Sequence, residues 1–462
     1  MSLESTAKKL RSVMALDTRS EAGFDGSVDS LGLGSSNSPV PAPNNQAIFR
    51  TGFKPPTRTR TFAGLDIGTT KICAIIAEID PSGRTNIKGI ASTPSQGLRR
   101  GVVVDLDETV VSIRTAIRKA EEIAKVNVKD VLVGIAGGHI QCIPNQATVD
   151  VANPERGITN ADISRAIDKA TVNKVPMERE VIHTLPQRFT IDDGVVAHPE
   201  GFSSQKLTAE VLTVTAAVTS AQNIVRAVRQ AHYRTSGIYL EPLASSLAVL
   251  TPEEKELGVL VIDIGGGTTD IALWSEGSVR YTGVVPFGGD AITEDIRKCL
   301  KISCYDAENL KKRHGSCLPE DISADEKIEV PLALTGEMQQ IERKLLCEVI
   351  ESRLGEMLLM VREECERCPH YAQTFGGVVL TGGGSLQHGA DKLAEKIFKL
   401  PTKIGKPSGL SGLSSIASSP IYATGVGLIF YGLQHEQCSH YSEGNMFKRM
   451  MQFFKRAIDW HY

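Results

Sequence analysis

The chain has 462 residues, 23% of them charged and 41% hydrophobic, with a formal net charge of −3. That length calls for two or more domains, and the near-balanced charge gives no sign of a nucleic-acid partner. No run of eighteen apolar residues exists to span a bilayer, the N-terminus lacks the apolar core of a secretory signal, and nine irregularly spaced cysteines fit reduced cytosolic thiols better than a disulfide framework.

Residues 1–60 are rich in Ser, Gly, Asn and Pro, as a disordered extension is. Folded sequence begins at Thr61 with a strand, the turn Asp66-Ile67-Gly68-Thr69-Thr70-Lys71, and a second apolar strand. A charged helix over 107–126, with Val110, Ile113, Ile117 and Ala120 at helical spacing, leads to the strand Val131–Ala136 and so to a β–α–β progression. Near His139 the register changes to turn signals, a polar helix and short alternating strands, which reads as a small α/β insertion over 139–205. His183 lies inside it with no serine, cysteine or carboxylate constellation beside it, so a structural or surface histidine is expected. The first domain, opened by 61–138, resumes over 206–256. Glu241 stands where a strand feeds a helix, a corner from which a carboxylate could orient a water; a carboxylate before proline is equally an ordinary helix-start residue.

A second domain is expected over 257–433. It opens with Val259–Ile262, an unbroken β-branched run, then Asp263, Gly265-Gly266-Gly267 and Thr268-Thr269-Asp270, then a further strand. Three glycines leave backbone N–H groups bare to a phosphate chain, and Asp263 at the strand end suits a hydrated Mg²⁺. This turn repeats the one at Asp66, which makes a matched pair of phosphate hairpins, the first carrying an ammonium at Lys71. Glu308 and Lys311 share one helix face, and a long helix is expected over 337–366. Cys365 and Cys368 with His370 make half a zinc site and lack the second knuckle. Gly382-Gly383-Gly384-Ser385 forms a third strand-to-glycine turn, suited to a flat base.

After a polar linker over 434–444, residues 445–462 form an amphipathic helix. At about 100° per residue, Met446, Phe447, Met450, Phe453, Phe454, Ile458 and Trp460 share one arc, and Lys448, Arg449, Lys455 and Arg456 take the other. Such a helix lies in a bilayer interface with its basic face toward anionic headgroups; docking on the body of the protein is the competing reading.

Together the paired hairpins and the third glycine turn resemble the actin, Hsp70 and sugar-kinase superfamily. Within it the chain resembles the FtsA family of bacterial cell-division proteins, from about Thr61 to Tyr462, through Leu185–Asp192, Glu241–Ser246, Asp306–Gly315 and the terminal helix. The resemblance implies an actin-like α/β fold: two RNase H-like domains around a nucleotide cleft, with a small inserted subdomain. It implies ATP and Mg²⁺ as cofactors, Asp66 and Asp263 managing the metal through water, and Gly68, Thr69, Thr70, Lys71 and Gly265 to Thr269 holding phosphates. Glu308 and Lys311 would touch ribose, Gly382 to Ser385 would line adenine, and Glu241 would sit where relatives orient the attacking water, with weak or no turnover. The implied partners are FtsZ, further copies of the chain, the anionic cytoplasmic face of the inner membrane at the division site, and later division proteins. A pilus-assembly relative and a soluble kinase of the same superfamily are the alternatives.

Overall fold

A computed structural model describes residues 58–172, 175–192 and 194–439. Most of the N-terminal extension and the amphipathic segment 445–462 lie outside the described residues. Strands β1 (Arg60–Ile67), β2 (Lys71–Ile79) and β3 (Thr85–Pro94) form an antiparallel meander, followed by the short hairpin β4 (Leu98–Arg99) and β5 (Val102–Val103). Helix α1 (Leu106–Ala124) is capped by the Asp105 carboxylate, which accepts the Glu108 N–H at 3.0 Å, and buries the apolar face expected of it. It crosses to β6 (Asp130–Ile135), which runs parallel to β1.

The inserted subdomain comprises β7 (Gln141–Asp150), α2 (Asn160–Val172), β8 (Arg179–Ile191), β9 (Gly194–Val196) and β10 (Lys206–Ala217), in sheet order β7-β10-β8-β9. Its boundary differs from the sequence expectation. The strand beginning at Lys206, read as the first domain resuming, pairs with β7 and β8 along its length. Alternation of side chains sets its faces and leaves its partners unspecified. The first domain resumes with α3 (Val218–Gln230), β11 (Arg234–Leu240), parallel to β6, then α4 (Glu241–Val249) and α5 (Pro252–Leu257).

The second domain repeats the plan. Strands β12 (Val259–Ile264), β13 (Thr269–Ser275) and β14 (Ser278–Val285) form a meander, followed by α6 (Gly289–Leu300), α7 (Cys304–His314), the hairpin β15 (Lys327–Pro331) and β16 (Met338–Glu342), and α8 (Arg343–Glu366). The long helix thus starts at Arg343, because Met338–Glu342 completes a hairpin instead. Strand β17 (Val378–Thr381), α9 (Ala390–Phe398) and β18 (Thr402–Ile404) close the sheet. The order β14-β13-β12-β17-β18 matches β3-β2-β1-β6-β11 position for position.

The chain then leaves the second domain, earlier than the expected end at 433. Strand β19 (Leu410–Gly412) joins the outer edge of β3; α10 (Ser414–Ala417) and α11 (Ala423–Ser439) follow, the last taking up the first residues expected to be linker. Helices α4 and α11 pack into one apolar cluster with residues of both sheets, among them Ile75, Leu240, Val261, Val379, Val426 and Ile429. The small residues of α11 make this possible: a Cβ on Gly427 would fall 1.8 Å from the Ala244 carbonyl oxygen. Gly427→Ala is therefore expected to force the helices apart and destabilise the fold by roughly 1–3 kcal/mol, read as a lower urea midpoint with unchanged m-value.

Candidate functional site

The strand pairings superpose the two hairpins. Ile67 faces Ile72 across the first turn, and Ile264 faces Thr269 across the second, so each turn holds four residues. Gly68 N–H donates to the Lys71 carbonyl at 3.1 Å and Gly265 N–H to the Thr268 carbonyl at 2.9 Å. This register places Thr69-Thr70 opposite Gly266-Gly267 and Lys71 opposite Thr268. Two positions further, Cys73 stands where the second hairpin has Asp270.

The two turns meet tip to tip. A Cβ on Gly266 would lie 1.6 Å from Thr70 Oγ1, and one on Gly267 2.6 Å from Thr69 Oγ1. Thr70 Oγ1 lies 3.2 Å from each carboxylate oxygen of Asp290, whose own N–H donates to the Gly266 carbonyl at 2.9 Å. The start of α6 is thus bonded to the second turn, with Gly289 N–H on the Gly265 carbonyl at 2.9 Å.

Beneath the turns four carboxyl groups lie near one another, three of them also within electrostatic reach of the Lys71 ammonium. Lys71 Nζ lies 3.7 Å from Asp66 and donates to the Ile421 carbonyl at 2.8 Å, with its charge 5.1 Å from the Tyr422 ring centroid. Burial would lower the Lys71 ammonium, but Asp66, Cys73, Tyr422 and Asp263 together outweigh it and hold it above its ordinary value. Burial raises Asp66 against the pull of Lys71. Asp263 is pushed up to about 6 by burial and the Asp66 charge, although Ser245 and Thr424 bond to it from α4 and α11. Asp270 is pushed up to about 8 by burial and Asp263. Glu241, the first residue of α4, is held well above the usual carboxylate range by burial and then by Asp66, Asp270 and Asp263.

One oxygen of Asp270 accepts from Thr268 Oγ1 at 3.1 Å; the other is buried without a partner. That orphan, together with four acids facing one base, is a setting a divalent cation fits. Among the described residues no group of three or more His, Cys, Asp or Glu is arranged to ligate a metal directly; Mg²⁺ is commonly held through its waters.

The remaining residues singled out from the sequence border this centre. Lys311 Nζ lies 2.6 Å from Glu308 and donates to the Gly289 carbonyl at 3.0 Å and Thr293 Oγ1 at 2.7 Å. The pair is therefore braced against the start of α6 and is no simple solvated face. Burial would raise Glu308, but bonds from Lys311 and Thr293 hold it at about 2. Gly382 has φ of 79°, and a Cβ there would fall 2.3 Å from Asp263 Oδ1; Gly383 borders open space. Ser385 is buried, its hydroxyl donating to the Gly382 carbonyl at 2.7 Å. His183 is likewise buried and bonded, at the foot of α4. Sequence reasoning assigned no role to Asp290, Ser245 or Thr424. Asp290 follows a Gly-Gly pair that could have flagged a third close approach, whereas nothing local marks Ser245 or Thr424, which reach Asp263 only through packing.

Comparison with known proteins agrees with this architecture. The family described as cell division protein FtsA matches residues 260–427, and that described as an SHS2 domain inserted in FtsA matches residues 137–215. The cell division protein FtsA of Pseudomonas aeruginosa is 41% identical over 378 residues, covering 82% of this chain and 90% of its own. That of Neisseria meningitidis is 38% identical over 389 residues (84% and 92%), and that of Escherichia coli K12 is 36% identical over 385 residues (81% and 91%). Among solved structures, a PilM-PilN type IV pilus biogenesis complex covers 80% of this chain and 98% of its own with a TM-score of 0.58 at 18% identity, a likeness of fold alone. The actin-like α/β fold with an inserted domain, expected from the sequence, is the fold observed.

The raised carboxyls carry a stability signature. In the unfolded chain an aspartate titrates near 3.9, so as pH rises the unfolded state ionises first and the folded state loses stability between about pH 4 and pH 8. In nucleotide-free protein with EDTA, Asp270→Asn is expected to raise the urea midpoint at pH 8 and to leave it little changed at pH 4. A variant no more stable than its parent at pH 8 would refute the buried-charge assignment.

Proposed function

The chain belongs to the FtsA family of cell-division proteins, and from that premise we propose that it binds ATP, polymerises on the cytoplasmic face of the inner membrane, anchors the FtsZ ring there and recruits later division proteins. The observation that carries the nucleotide reading is the tip-to-tip meeting of two glycine-bearing hairpins above a buried acidic centre. In this reading the N–H groups of Gly68 to Lys71 and Gly265 to Thr269 receive the phosphates from two sides, as bare turn amides receive anions. Bound Mg²⁺ would offset the triphosphate charge, with Asp66 and Asp263 holding its waters. Glu308 and Lys311 would meet the ribose and the Gly382–Ser385 turn the adenine. Glu241, held above its ordinary range by burial and the neighbouring acids, stands at the corner from which a carboxylate could orient the attacking water, with weak or no turnover.

The membrane reading rests on the sequence of 445–462, since no described helix is long and apolar enough to cross a bilayer. Its Met, Phe, Ile and Trp arc opposite Lys448, Arg449, Lys455 and Arg456 suits an anionic interface.

Two measurements test these halves separately. With Mg²⁺-ATP, the full-length chain is expected to pellet with anionic liposomes and form filaments on them, while a truncation after Gly444 stays in the supernatant and still binds ATP. Equal pelleting of the truncation would sink the terminal-helix reading. Gly267→Val, which drives a side chain into Thr69, is expected to weaken ATP binding at least ~10-fold by calorimetry; undiminished affinity would place the phosphates elsewhere.

A further inference from the structure

Strand β8 touches three bodies through side chains four residues apart. At its start Arg179 donates from Nε to Thr215 Oγ1 at 2.8 Å and from Nη2 to the His139 carbonyl at 2.7 Å, at the neck of the inserted subdomain. Four residues on, buried His183 accepts the Leu240 N–H on Nε2 at 2.9 Å, and Leu240 immediately precedes Glu241. With Nε2 accepting, the ring proton sits on Nδ1, which faces Tyr431 of α11 at 3.3 Å. The ring also stacks on Tyr239 of β11.

Gln187 comes next, at a break in the ladder. Pairing with β10 passes from Glu210 opposite Arg188 to Val211 opposite Pro186, leaving Gln187 as the extra residue of a bulge. Pro186 has no N–H to offer the ladder, and a bulge re-aims the side chain it carries. Gln187 Nε2 donates to the Val279 carbonyl on β14 at 2.8 Å, and Arg280 Nη1 donates back to the Gln187 carbonyl and Oε1 at 3.2 and 3.3 Å. The Arg280 side chain is only 5% exposed, with its other arm on Glu276. A buried guanidinium shared this way is costly to unpair, so the joint is stiff.

We propose that β8 is a transmission strand, which makes the orientation of the inserted subdomain depend on whether the cleft holds ATP. The inference rests on the ATP reading above. The two domains meet at the hairpin tips, and phosphates entering between those tips shift β14 relative to β11. His183 ties β8 to the β11 side and Gln187 ties it to the β14 side, so a packed sheet held at both points reorients or breaks one joint. By linkage, a partner that holds the subdomain in one orientation changes ATP affinity by the factor by which ATP changes that partner's.

The test uses the full chain and two readouts, Mg²⁺-ATP affinity by calorimetry and amide hydrogen exchange in residues 141–150 and 206–217 with and without saturating Mg²⁺-ATP. In the parent, ATP is expected to change exchange in these strands at least about threefold. Gln187→Ala, which touches no part of the cleft, is expected to bind ATP within about threefold of the parent and to lose more than about half of that response. His183→Phe is expected to weaken both binding and response, and His183→Gln, whose side-chain oxygen can accept the Leu240 N–H, to restore them. A full response in Gln187→Ala, or a parent that binds ATP with no change in the subdomain, overturns the proposal. A His183→Gln protein that behaves like His183→Phe overturns the joint at Leu240. A parent that binds no ATP refutes the nucleotide reading itself, which the calorimetry registers independently of exchange.

Discussion

Four acidic side chains clustered near a single ammonium are the constraint on which the rest of the structure depends. Burial raises Asp66, Glu241, Asp263 and Asp270; the Asp66 charge adds to the other three, and Lys71 offsets part of the rise at Asp66, Asp263 and Glu241. Such an arrangement is costly on its own terms and needs a rigid frame to hold it. The frame is two strand ends facing each other, each buried in its own sheet, with α4 and α11 wedged beneath.

The frame is a repeat, and its departures from symmetry are where chemistry enters. Both domains use the same five-strand order and the same four-residue hairpin, yet Lys71 stands opposite Thr268 and Cys73 opposite Asp270. One hairpin thus carries the base and the other an additional acid. Burial pushes the Cys73 thiol up to about 12, so this position adds no negative charge to the first half. A duplicated scaffold with unequal charges has a defined front and back for an asymmetric ligand.

The third turn of the second domain, Gly382 to Ser385 after β17, has its counterpart after β6 at Gly137-Gly138, the point from which the inserted subdomain departs. The insertion therefore grows from a turn equivalent to the one that closes on Asp263. Strand β8 returns from it to the foot of α4, and α11 reaches the same spot from the other side. The inserted domain and α11, the last described helix, thus both meet the corner that Glu241 opens.

The sequence alone sufficed for the two hairpins, the repeat and the helical spacing of α1, because each is written in local periodicity or in glycine and aspartate spacing. The fold class came from the resemblance that these motifs carry to a known superfamily. Only the tertiary structure decided where β10 belongs, that Leu410–Gly412 and α11 return to the first domain, and that Thr69-Thr70 face Gly266-Gly267. Strand partners and helix docking are set by contacts between residues far apart in the chain, and side-chain alternation specifies a face without naming what covers it. The same limit hid Ser245, Thr424 and the roles of His183 and Gln187. Each is an unremarkable residue in its own stretch, and its hydrogen-bond partner lies on an element that only packing brings near.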